Sequence, residues 1–399
     1  MMDDWTTSKT NELILNGILF IGDGYRAKNS ELASTGIPFA RAGNINGGFK
    51  FENADYLPND YAKKVREKLS KPGDIVFTSK GTVGRFAFVL TETPRFVFSP
   101  QICCWRSLSP AKLDPRFLFY WMQSREFFEQ VETLKGQTDM ADYVSLSDQR
   151  QMTLTIPKPN EQRAIAGVLS SLDDKIDLLQ RQNKTLEAMA ETLFRQWFVE
   201  EANDDWEEVC VGNVAKLNAS AITSSYKHRH IFYLDTSSLT NGIFGVLQPL
   251  PIEEAPSRAK RLVKHNDILI STVRPDQCHY GIVKAPKENL VVSTGFCVIT
   301  ATNVDPHFLY LLLTGEEMTE FLHSIAEGST STYPSLKPSD LAVLKFRNPP
   351  KARHDEFARI AGSSWDKIAC NSAQICSLEK LRDTLLPKLM SGEVRVQYE

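Results

Sequence analysis

The sequence predicts a mixed α/β (α+β) protein: two tandem-duplicated globular parts, each followed by a long helix, with the two helices packing as an antiparallel coiled coil. Three observations carry this reading. The stretch "LSSLDDKIDLLQRQNKTLEAMAETLFRQWF", residues 169–198, is a leucine ladder. Most of the chain is written twice, and the segments between the ladders alternate short strand-like runs with apolar stretches of helical period.

Taken with a seven-residue step, the ladder places Leu172, Leu179, Leu186 and Leu193 in one column and Leu169, Ile176, Asn183, Ala190 and Trp197 in the other. Apolar residues at two of seven positions define a coiled-coil seam, and one polar residue in it, here Asn183, fixes register and partner at some expense of stability.

The repeat supplies that partner. "DDW" occurs at Asp3 and again at Asp204, and "KLSKPGDIVFTS" from Lys68 is echoed by "RLVKHNDILIST" from Arg261, with Asp74 matching Asp267. "LDPRFLFYWM" from Leu113 answers "VDPHFLYLLL" from Val304, and "LDDKID" at Leu172 answers "WDKIA" at Trp365. Most offsets are about 192 residues, which marks a tandem duplication. Carrying the heptad across puts Ile368, Asn371, Ile375, Leu378, Leu385 and Leu389 in a second seam, with Arg382 as its weak spot. Antiparallel packing would place Asn183 and Asn371 in one layer. A basic-zipper homodimer is disfavoured, because "IPKPNEQRAIAGV" before the ladder is not a continuous basic helix.

Within the globular parts, "GDIVFT", "RFAFVL" and "RFVFS" read as strands between Gly/Pro turns, as do "NDILIST", "GIVKA" and "LVVSTGFCVIT". "PRFLFYWMQSREFFEQVE" and "PHFLYLLLTGEEMTEFLHSIA" read as helices, the second with Pro306 in its first turn. Proline-marked boundaries, "IPKPNEQRA" and "FRNPPKARHDEF", precede both arms. The domain limits expected are 1–158, 159–201 for the central arm, 202–351, and 352–399 for the C-terminal arm.

Composition narrows the function. At 399 residues, with 42% hydrophobic and 24% charged side chains, the chain is ordinary globular material. No apolar run approaches a membrane span and "MMDDWTTSK" lacks signal-peptide regions, so a cytoplasmic location is expected. Seven cysteines without CxxC or zinc spacing indicate neither disulfides nor a metal site. A net charge of −3 excludes a uniformly basic nucleic-acid coat but not a local basic patch.

The order of globular part, "NEQRAIAGVLSSLDDKIDLLQRQNKTLEAMAETLFRQWF", second globular part and "LEKLRDTLLPKLMSGEVRV" resembles, along the whole chain, the specificity subunit of type I restriction-modification systems. "IGDGYRAKNSELASTGIPFARAGNI" and "GDIVFTSKGTVGR" look like the start of its target-recognition domain. The resemblance implies a non-catalytic subunit in which each globular part reads one half of an asymmetric bipartite site on double-stranded DNA. The helices would space the two readers and dock the methyltransferase subunits, two of them expected, with a restriction/translocase subunit in the full complex. It implies no cofactor in this chain, since S-adenosylmethionine, ATP and Mg belong to the partner subunits. An arm of roughly 35 to 40 residues is about 50 to 60 Å long, longer than the roughly 34 Å of one DNA turn.

Candidate DNA contacts follow from residue chemistry. In "SKGTVGR", glycines allow close backbone approach, while Lys80, Thr82 and Arg85 are donors, and arginine can fork onto guanine O6 and N7. The matched loop "STVRPDQCHYG" offers Arg274, Gln277, His279 and Tyr280. Loops after the domain helices offer Gln137 and Thr138 in one half and Ser329, Thr330, Ser331 and Tyr333 in the other. Arg41, Asn44 and Asn46 in "FARAGNINGG", and Lys227, His228, Arg229 and His230 in "SYKHRH", complete the set. A phosphate clamp could come from Lys63, Lys64, Lys68 and Lys71, matched by Arg258, Lys260, Arg261 and Lys264.

Other classes find less support. "RNPPK" at Arg347 is similar to the NPPY-type motif of amino-methyltransferases, but Lys351 stands where the base-stacking aromatic belongs and no Gly-rich cofactor loop accompanies it. No Walker loop or nuclease cluster stands out. Two alternatives stay open: a coiled-coil protein-binding scaffold without sequence-specific DNA binding, and a DNA methyltransferase or nuclease in its own right.

Overall fold

The computed structural model describes residues 4–45, 47–81, 83–134, 136–137, 142–247, 249–328 and 334–397. It divides into two compact units. One comprises Met1–Asp177 with Cys376–Glu399, and the other Leu178–Ile375. Each unit consists of one globular domain packed with one end of both long helices.

In the first unit, strands Leu19–Asp23, Ile102–Ser107, Ile75–Thr78 and Phe86–Phe88 form an antiparallel sheet in that order. A second sheet sets Ile37–Ala40 between Asp55–Leu57, antiparallel, and Val97–Phe98, parallel. In the second unit the sheet order is Ala215–Leu217, Phe296–Ala301, Ile268–Ser271 and Tyr280–Ile282. Its companion sheet again has a parallel pair, His230–Leu234 beside Leu290–Ser293, flanked by Pro249–Pro251 and Ala259–Leu262. Even the outer edge is repeated. Leu262 pairs with Val291 in the second unit, and Leu69 makes an isolated bridge to Val97 in the first.

Both domain helices start by the same device. Helix Pro115–Trp121 has proline at its first position and Asp114, whose Oδ1 accepts the Phe117 N–H at 2.9 Å. Helix Pro306–Thr314 repeats this with Asp305, which accepts from His307 at 3.0 Å and Phe308 at 2.9 Å. An acidic cap satisfies N–H groups that the first turn leaves without partners, and such caps contribute about 1 kcal/mol. The helices close the cores. In the first unit Trp105, Trp121, Phe77, Phe117 and Phe127 pack with Ile165 and Leu169 of the central helix and Leu389 and Met390 near the chain end. In the second, Phe308, Leu311, Phe346, Phe357 and Trp365 pack with Ala190, Leu193, Phe194, Trp197 and Phe198.

The central helix spans Pro159–Arg195 and ends in a π-helical turn, Gln196–Glu200, while the C-terminal helix spans Lys351–Met390. Leu169, Leu172, Ile176, Leu179, Asn183, Leu186, Ala190, Leu193 and Trp197 are all buried or half-buried, as are Ile368, Asn371, Ile375, Leu378, Leu385 and Leu389. The contacts run in opposite directions along the two helices. In the second unit Asn371 Nδ2 donates to Asn183 Oδ1 at 2.8 Å and to Gln182 Oε1 at 2.9 Å. In the first unit Arg382 Nη1 meets Asp173 Oδ1 at 2.9 Å, and Asp173 also accepts the Tyr120 hydroxyl at 2.6 Å. Arg382, expected to weaken the seam, instead supplies a cross-helix ion pair, because its long side chain reaches a carboxylate beside the apolar column.

Candidate nucleic-acid interface

In each domain one strand-to-strand connection holds the strongest candidates. In the first it is the seven-residue loop 79–85 between Ile75–Thr78 and Phe86–Phe88, and in the second the eight-residue loop 272–279 between Ile268–Ser271 and Tyr280–Ile282. Backbone hydrogen bonds fix their correspondence. Ser79 N–H donates to Gln101 O and Thr272 N–H to Gly295 O, so 79 matches 272. Lys80 bridges to Tyr143 and Val273 to Ser335, so 80 matches 273. On the returning side, Thr78 N–H donates to Arg85 O and Ser271 N–H to His279 O, so 85 matches 279. The loops therefore match as a pair, but Arg85 is the counterpart of His279, and Arg274 that of Gly81.

The bridges also bring the second candidate loop of each domain beside the first. Tyr143 pairs with Gly136 in a short ladder that includes the backbone of Gln137, and Lys80 adds to its other side. In the second domain Arg274 N–H donates to Pro334 O and Leu336 N–H to Thr272 O. Thr82, Thr138, Ser329, Thr330, Ser331 and Tyr333 lie outside the described residues, as do Asn46 and the side chain of Gln137.

The side chains differ in how much of their chemistry is already used. Lys80 and Arg85 are exposed, and among the described residues neither pairs with a carboxylate. Arg274 and Gln277 are exposed, and Gln277 Oε1 lies 3.2 Å from His279 Nε2. His279 is tied inward, its Nδ1 lying 2.7 Å from Leu239 O and 3.1 Å from Thr240 Oγ1. Arg41 pairs with Asp55 at 2.6 Å, and Asn44 is consumed by its own turn, accepting from Arg41 N–H at 2.8 Å and donating to Lys50 O at 2.9 Å. Lys227 and Arg229 are exposed ahead of strand His230–Leu234, away from the 272–279 loop in sequence.

The lysines proposed for a phosphate clamp in the first domain are largely engaged inside it. Lys64 pairs with Glu31 at 2.6 Å, Lys68 with Asp23 at 3.0 Å and Lys71 with Glu67 at 3.0 Å. The Lys64 ammonium, aided by the Lys28 N–H, holds the Glu31 carboxyl down to about 2. Charge runs in sequence do not distinguish such internally neutralised groups from free ones.

A buried group escaped the sequence reading altogether. Arg106, 6% exposed, forks onto the fully buried Asp74 at 2.5 and 2.8 Å and also reaches Glu67 at 2.7 Å. Asp74 and its repeat mate Asp267 make the same backbone bond, accepting from Lys71 N–H and Lys264 N–H respectively. In the second domain Thr300 stands where Arg106 does, donating to Asp267 Oδ1 at 2.6 Å. The recurring Asp before each strand was the visible signal; its partner, about 30 residues away, was not.

Among the described residues, no group of three or more His, Cys, Asp or Glu could hold a metal ion, and no helix is long and apolar enough to cross a membrane. The seven cysteines are free.

Two unequal copies of one mixed domain, each presenting a polar loop and joined by antiparallel helices, define a duplicated recognition protein. The family model described as "Type I restriction modification DNA specificity domain" matches residues 2–188 and 203–367, and the chain belongs to that family. It is 25% identical over 365 residues to the type I restriction enzyme MjaIX specificity subunit of Methanocaldococcus jannaschii, covering 84% of this chain and 81% of that protein. It is 31% identical over 183 residues to the HindI specificity subunit of Haemophilus influenzae, covering 45% of this chain and 40% of that one. The crystal structure of a type I restriction-modification S subunit from M. genitalium has the same fold, with a TM-score of 0.61 at 18% identity over 99% of this chain and 97% of that one.

Proposed function

We propose that the chain is the non-catalytic DNA target-recognition subunit of a type I restriction-modification complex, each domain reading one half of an asymmetric bipartite site. The observation that carries this is the loop pair. One backbone frame occurs twice at corresponding positions, each time beside a second polar loop, and the two copies carry different side chains. Identical readers would select a palindrome, whereas Lys80 and Arg85 against Arg274 and Gln277 select two unlike half-sites. Thr82, Gln137 and Thr138 in one half, and Ser329, Thr330 and Tyr333 in the other, complete the candidate set.

The helices space the readers and dock the methyltransferase subunits, two copies being the natural number for a duplicated chain. The central helix supplies a surface for this: Leu178 is 51% and Met189 60% exposed, beside Arg181, Lys184, Thr185 and Ala188. A contiguous apolar patch rimmed by polar groups is what a partner surface requires, and the groove lined by Ala188, Met189 and Leu193 beside Arg181 and Lys184 is of that kind. A restriction/translocase subunit joins the full assembly, and the workplace is the cytoplasm, where the DNA is.

Co-expression with the neighbouring methyltransferase gene, followed by mapping of methylated bases across the host genome, tests the reading. The expected result is a split motif with a fixed gap that disappears when this chain is omitted. Methylation unaffected by omission would reject it in favour of a protein-binding scaffold.

A further inference from the structure

The two recognition loops share an unusual backbone and fill it differently. Gly81 and Gly84 in the first domain have φ of +82° and +98°. Their counterparts are Arg274 and Cys278, with φ of +49° and +53°. Glycine enters the left-handed region freely, while a side chain with a Cβ is strained there. The two copies thus share a left-handed φ at both positions, with glycine in one and a residue bearing a Cβ in the other.

A third matched position shows what replacement looks like when only the turn matters. Gly73, with φ of +87°, has Asn266 as its counterpart, with φ of +66°, and each donates its N–H to the equivalent strand, Gly73 to Val89 O and Asn266 to Val283 O. Asparagine is the side chain that tolerates this region best. At 274 the chain carries arginine. At the matched position of the first domain a Cβ built on Gly81 meets no atom within 4 Å, so glycine there answers to the backbone conformation and not to crowding. Residues held in this region persist only where the surrounding structure fixes them, and they cluster at ligand-binding sites.

We propose that Arg274 is the specificity-determining residue of the second domain, kept on a strained backbone because from there its guanidinium forks onto the O6 and N7 of a guanine in the major groove. This rests on the reading of the chain as a DNA target-recognition subunit. Cys278 carries the same strain without a side chain suited to base readout, and is the internal control. The first domain, with Gly81 at this position, reads through Lys80 and Arg85 instead.

Arg274→Gly and Cys278→Gly are made in the full chain, co-purified with its methyltransferase, and compared with the wild type for melting temperature, duplex affinity and methylated motif. Relief of strain should raise the melting temperature by a few degrees in both variants. Only Arg274→Gly should lose the identity of one base in one half-site and weaken the cognate duplex tenfold or more against a duplex altered at that base. A lower melting temperature for Arg274→Gly would make the side chain a prop for its loop and overturn the proposal. So would an unchanged motif, or equal weakening on every sequence, which marks a phosphate contact. If the wild-type complex methylates no split motif, the broader reading fails and the proposal with it; a split motif that survives the substitution defeats the proposal alone.

Discussion

Asp74 and Asp267 occupy one position of the repeat, and their neighbours give them opposite energetics. Asp74 pairs with a buried guanidinium, so Asp74→Asn would leave Arg106 without its main counterion and should destabilise by about 3 kcal/mol or more. Burial pushes the Asp267 carboxyl up, with no arginine to offset it. Its charge therefore works against folding at neutral pH. Asp267→Asn keeps an acceptor for Lys264 N–H, and the new amide can donate to the Thr300 hydroxyl, so the change should stay within about 1 kcal/mol. Urea unfolding of the two variants decides; equal losses would refute the distinction. Glu187, raised first by burial and then by nearby Glu191, is a further case. A carboxyl with a raised folded pKa favours folding below its unfolded pKa and loses that contribution as pH rises through the folded one. Glu187→Gln should accordingly raise the melting temperature at pH 7 and leave it nearly unchanged near pH 4. None of these environments was legible in the sequence, because the partner of Asp74 lies on another strand and the burial of Glu187 depends on what packs over the helix.

The helices were the most legible elements. A period of seven sustained over four turns and more is a long-range signal, and each residue of both columns is at least half-buried. The Asn183–Asn371 hydrogen bond offers a direct test in solution. With Cys370 and Cys376, both exposed, replaced by serine, cysteines introduced at 183 and 371 should crosslink within one chain under mild oxidation. Absence of the crosslink would exclude this register. Replacing both asparagines by leucine should raise stability while loosening register, visible as slipped crosslinks or higher oligomers. Arg382 was less legible. Whether a charge in an apolar column weakens or ties it depends on the facing helix, and here Asp173 faces it.

At the scale of the whole molecule, the duplication was readable at an offset of about 192, yet its register inside the loops was not. Seven residues answer eight, the letters have diverged, and only the ladder hydrogen bonds show that Arg85 corresponds to His279. Arg85→Ala should therefore alter one half of the methylated motif and spare the other, as genome-wide mapping would show. Uniform loss across sequences, with a shallower salt dependence, would make it a phosphate contact.

The composition of the compact units sets an order of assembly during synthesis. The second unit is one unbroken stretch, whereas the first needs Cys376–Glu399, which place Leu389 and Met390 against Ile165, Ala166 and Leu169. The first domain to emerge is thus the last to be completed. At about 5 to 20 residues per second, the roughly 200 intervening residues leave the side of Ile165, Ala166 and Leu169 that meets Leu389 and Met390 uncovered for on the order of 10 to 40 seconds. For that interval the nascent chain presents an open apolar seam, a target for chaperones or for premature pairing with a neighbouring chain on the same message.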